Sequence, residues 1–144
     1  MKQKFNMYLF GLYELIIAFV AFYTGIKMIS DPIGELGVFA HEFPIDWSTK
    51  LQIDSWSIPG IFAILLFGIG NVLVFIYCIT KNQRLCGILG IIMGSILFVG
   101  IIIQMLWLEI ILFSIQCLLA SIIQILWGIV LLKNHKTNAL ISNQ

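Results

Sequence analysis

Charged residues are scarce in this sequence: Asp, Glu, Lys and Arg together make up 10% of its 144 residues, against about a quarter in soluble domains. That scarcity excludes a surface facing water over most of its area. The net charge of +1 and the lack of any basic run leave no footing for a nucleic-acid partner, whose phosphates are bound by clustered Lys and Arg. Cysteine is limited to Cys78, Cys86 and Cys117. With no Cys-x-x-Cys pair to imply a metal or redox centre, these read as small packing residues in or beside apolar segments. Histidine is limited to His41 and His135. Zinc needs three or four ligands, so His41 beside Glu42 makes no metal site, and His135 reads as a solvated residue of a basic tail. No cofactor is implied.

What fills the sequence is apolar: 60% of it is hydrophobic and the mean hydropathy is +1.04. A helix needs about 20 apolar residues to cross the bilayer, because no water is present there to satisfy its backbone. The first block, 7–28, and the second, 58–80, have that length. The N-terminal stretch is too long for a signal peptide and has no small-x-small cleavage site, so it reads as a retained span. The block from Leu85 to Leu132 is twice as long as one crossing requires. Gln104, Trp107 and Glu109 mark where it divides, giving spans 85–106 and 109–132; a single long projecting helix is the rival reading.

Charge placement favours four spans, since Lys and Arg accumulate in cytoplasmic loops. With four, Lys2, Lys4, Lys81, Arg84, Lys133 and Lys136 fall inside and only Lys27 and Lys50 outside. Every acidic residue except Glu14 falls outside. The expectation is an all-α membrane protein in one domain, 1–144. It is a four-transmembrane-helix bundle with cytoplasmic termini and a long, partly structured extracytoplasmic loop, 29–57, between helices 1 and 2.

Helix interfaces in lipid favour small residues that allow close approach and polar residues that bond across. Gly11, Glu14, Ala18, Ala21 and Gly25 lie on one face of the first span, and Ser114, Cys117, Ser121, Gln124 and Gly128 on one face of the fourth. Gly87, Gly90 and Gly94 do the same in the third. Gly60, Ala63, Gly68, Gly70 and Asn71 are less regular in the second. Most such stripes are packing seams without chemistry. Glu14 is different, because an acidic side chain at the centre of a span costs about 2.5–3.5 kcal/mol on insertion scales. Counting from the span ends brings Asn71 and Gln124 to a similar depth, with Tyr13 and Tyr77 nearby. These five form a candidate buried polar cluster, either a proton or cation site or a hydrogen-bonded lock on helix register.

The loop is too apolar for a solvated tether, with Ile33, Leu36, Val38, Phe39, Phe43, Ile45, Trp47, Leu51, Ile53 and Trp56 in it. It is expected to lie along the outer interface, where tryptophans sit at headgroup depth. Trp47, Trp56, Trp107 and Glu109 are the candidate outer-interface residues, and the loop carboxylates a solvated rim. Asp31-Pro32 and Gly34 signal a turn, and Ser57 with Pro59 suits a helix cap and first turn.

Asp31-Pro32-x-Gly34, Leu36-Gly37, Pro59-Gly60 and Gly68-x-Gly70, in that order, resemble a pattern in uncharacterised small bacterial four-span integral membrane proteins. The resemblance covers most of the chain and implies a fold and no activity. Vitamin K epoxide reductases are similar in using four membrane helices, but their chemistry requires a Cys-x-x-Cys pair that this chain lacks. Small multidrug-resistance transporters resemble it in placing a glutamate in the first of four spans, at the position of Glu14, although their loops are short. The leading functional expectation is a non-enzymatic membrane component, such as a partner, regulator or immunity-type protein. It would contact the lipid bilayer and another membrane protein, or a second copy of itself. The alternatives are a small oligomeric proton- or cation-coupled transporter using Glu14, and a membrane enzyme acting on a lipid or quinone.

Overall fold

The computed structural model describes residues 2–33, 55–80, 82–107 and 110–142. Four long helices run through them: α1 (Lys2–Ser30), α2 (Ser57–Ile79), α3 (Gln83–Trp107) and α4 (Leu112–Ser142). Their apolar portions span 27, 23, 25 and 24 residues, each enough to cross about 30 Å of hydrocarbon at 1.5 Å per residue. This is a multi-pass membrane protein with a lipid-facing exterior. Large apolar side chains such as Phe19 and Leu106, 75% and 78% exposed, have no other solvent that suits them.

The long apolar block is divided, as four spans require. α3 continues through Gln104 to Trp107, and α4 starts at Leu112 and not at 109. Gln104 therefore lies within the helix and not in the turn; its Nε2 donates to Ser114 Oγ at 2.6 Å, tying the two helices beside the turn. Glu109 and Trp47 lie outside the described residues, as do 34–54, with most of the loop's apolar and acidic side chains. Trp107 is exposed at the end of α3, and Trp56 precedes α2.

Local chemistry sets the ends. The cap position of α2 is Trp56, which makes no side-chain cap bond, so Ser57 is the first helical residue and not the cap; its amide donates to Ser55 Oγ at 3.1 Å. Asn82 caps α3, its Oδ1 accepting from the Leu85 amide, as short polar side chains do at helix starts. In the middle of α2, Ala63–Ile69 is a π-helical segment, a wider turn often found beside functional sites.

The helices pack as two antiparallel hairpins, each closed by a reciprocal glycine contact. A Cβ added at Gly25 of α1 would lie 2.6 Å from the Gly60 carbonyl oxygen of α2, and one at Gly60 2.8 Å from that of Gly25. Gly87 of α3 and Gly128 of α4 approach in the same way, at 3.0 and 2.9 Å. Only glycine lets two backbones come so close. The hairpins join in the half of the bundle nearest Thr80 and Asn82, here termed the basic end. There Phe10 of α1 packs over Gly90 of α3, and Met93 of α3 over Gly70 of α2. Met7, Phe10, Val74, Cys78, Cys86, Met93 and Leu131 make up this core.

Candidate functional site

Glu14 is fully buried at the junction of the two hairpins, with Asn71 and Gln124 equally enclosed. Each arrives from a different helix. Glu14 follows Phe10 and Gly11 on the packed face of α1, Asn71 leaves the π-helical segment on α2, and Gln124 lies on α4 against Gly94. Gln124 Nε2 donates to both neighbours, at 2.7 Å to Glu14 Oε2 and 2.8 Å to Asn71 Oδ1. Asn71 Nδ2 donates in turn to the Phe67 carbonyl at 2.6 Å.

The direction of this chain of bonds is fixed. Because Asn71 turns its NH2 group to a backbone carbonyl, its oxygen faces Gln124, which must present nitrogen to it. Both hydrogens of the Gln124 amide are then used. Glu14 Oε1 and Gln124 Oε1 remain buried without a hydrogen-bond partner, a condition rare enough to require a reason. An added Cβ at Gly90 would sit 3.7 Å from Glu14 Oε1, so the carboxyl reaches toward α3 with one oxygen and α4 with the other.

The structure brings together three of the five residues expected to cluster. Tyr13 bonds elsewhere, its hydroxyl donating to the Ala120 carbonyl at 2.7 Å. Tyr77 packs against the apolar core. Trp127 Nε1 donates to Asn6 Oδ1 at 2.9 Å, a contact between α4 and α1 that sequence reasoning missed, although an interior asparagine paired by depth with an indole was the available signal. The Trp127 ring also packs against Phe10 and Tyr13, at centroid distances of 5.6 and 5.9 Å.

Three further expectations are corrected. Cys78 and Cys86 are not separate packing residues; they are joined by a disulfide between the last turn of α2 and the first of α3. They lie eight positions apart on successive helices, outside the short motifs by which cysteine pairs are recognised. Asp31 is no part of a solvated rim, being 2% exposed. His135 is half-buried and not simply solvated.

Two cavities flank the cluster. Toward the loop end the hairpins part around a largely apolar space of about 220 Å³, lined by residues of all four helices, including Ile17, Phe67, Leu97 and Cys117, with Thr24 and Gln104 as polar wall. Phe67 belongs to both this wall and the cluster. At the basic end, α3 and α4 border a second, half-open space of about 380 Å³. No family model, no curated protein and no solved structure matches the chain.

Proposed function

We propose that the protein is a non-enzymatic membrane component, a partner or regulator of another membrane protein, with both termini in the cytoplasm and residues 29–57 outside. The observation that carries this reading is how the polar side chains within the spans are used. Gln124 is bonded to Glu14 and Asn71, Tyr13 to Ala120, Trp127 to Asn6 and Gln104 to Ser114. These bonds run between helices and hold a scaffold together. The placement of Lys2, Lys4, Arg84, Lys133 and Lys136 supports the orientation.

A second reading, proton- or cation-coupled transport, is favoured by the two buried oxygens without partners, Glu14 Oε1 and Gln124 Oε1, because intramembrane ionisable groups mark ion paths by default. One experiment separates the two readings. Wild type and Glu14→Gln are reconstituted in liposomes and proton flux is followed under an imposed pH gradient. The scaffold reading expects the same background flux from both. Flux that needs Glu14 overturns it and selects transport. Crosslinking in cells from a photoreactive residue at Ile33 then tests the partner, with one discrete adduct expected and its loss on replacement of the outer loop.

A further inference from the structure

The cavity at the basic end has a composition unlike that of the rest of the bundle. Arg84 comes from the first turn of α3, and Lys133 and His135 from the part of α4 beyond the close Gly87–Gly128 approach. One turn deeper along each helix the lining changes to Ile88 on α3 and to Ile129 and Leu132 on α4. Basic groups therefore stand at the end of the membrane-crossing stretch and the apolar wall at the depth of the acyl chains. The wall is held in place independently of any occupant, because Gln83 Nε2 donates to the Leu131 carbonyl at 2.9 Å and the glycine pair fixes the helix spacing.

Apart from Glu14, buried at the hairpin junction, every acidic residue of the sequence lies between positions 31 and 54 or at 109. A space of about 380 Å³ with a cationic rim and an apolar wall matches one kind of molecule always present at this depth.

We infer that the cavity between the start of α3 and the basic stretch of α4 binds an anionic phospholipid, its phosphate between Arg84, Lys133 and His135 and an acyl chain along Ile88 and Ile129. Basic pockets between membrane helices bind phosphorylated headgroups by this pairing of charge with an adjoining apolar surface. The inference does not depend on which leaflet the basic end occupies, nor on the scaffold reading. It adds a lipid requirement to either proposed function.

The test uses the purified full chain in neutral detergent, titrated separately with phosphatidylglycerol and phosphatidylcholine, with bound lipid counted by native mass spectrometry. Phosphatidylglycerol is expected to bind more tightly. Arg84→Gln and Lys133→Gln should each weaken it by about five-fold, the value of one juxtamembrane charge, and leave phosphatidylcholine unchanged. Arg84→Lys should retain the preference, and Ile88→Ser should weaken both lipids. Lys4→Gln removes a charge from the same end on α1 and should change nothing. Equal binding of the two lipids overturns the inference. So does an equal loss in Lys4→Gln, which would mean diffuse attraction and no built site. Displacement of phosphatidylglycerol by millimolar inorganic phosphate also overturns it, because the site would then be one for a free anion. Circular dichroism of each variant confirms that the binding compared is that of folded protein.

Discussion

Gln124 and Glu14, 110 positions apart in sequence, meet at 2.7 Å and join the last membrane helix to the first. The same Gln124 nitrogen holds Asn71, so one amide links three helices. Its removal leaves two buried acceptors without a donor, a larger penalty than the loss of one bond.

Gln124→Leu should therefore lower stability by about 1–3 kcal/mol, the range for stranding buried polar groups. Asn6→Leu leaves the Trp127 ring packing in place and loses the bond to its indole. It should cost nearer the average of about 0.6 kcal/mol for interhelical bonds in lipid. Reversible unfolding in mixed micelles measures both, and an equal cost would remove the special standing of Gln124.

Glycine substitutions should divide by position. Gly25→Ala sets a methyl group against a backbone oxygen that cannot yield, and should cost about 1–3 kcal/mol as an overpacked contact. Gly100→Ala, with nothing within 4 Å of the added carbon, should be neutral or stabilising by up to about 1 kcal/mol through backbone entropy. Thermal unfolding of the two purified variants checks the contrast.

The basic end offers a test of orientation. On the proposed topology the Cys78–Cys86 pair lies near the cytoplasm, where disulfides are rare and transient. Cells quenched in acid and alkylated with a polyethylene-glycol maleimide should yield mostly the dithiol, and membranes aged in air the disulfide. A disulfide in every sample would place this end outside the cell.

The features that were legible in the sequence are those set by counting. Span lengths and the common depth of Glu14, Asn71 and Gln124 follow from a rise of 1.5 Å per residue. What escaped depends on azimuth and fine register. Tyr13 has the right depth, yet it faces α4 backbone and not the carboxyl. Cys78 and Cys86 meet because α3, starting at the Asn82 cap, sets its first turn beside the last turn of α2. No sequence spacing alone gives that rotation. The π-helical segment 63–69 was equally hidden, since its residues, apart from Gly68, suit an ordinary helix.

Tyr13→Phe tests a side-chain-to-backbone bond across the hairpin junction. The ring packing on Trp127 persists, so the expected loss is about 0.5–1.5 kcal/mol, read by the same unfolding measurement. No detectable change would mean that ring packing alone fixes this contact.

At the loop end, the Trp56 amide donates to the Pro32 carbonyl at 2.8 Å, so the chain leaves α1 and returns to α2 at nearly one point. A segment anchored in this way is a cassette. Doubling its length costs only about 0.6 kcal/mol of closure entropy, and the helices beneath would not register the change. An insertion between Pro32 and Trp56 would thereby change what the loop end displays while leaving the membrane core as it is.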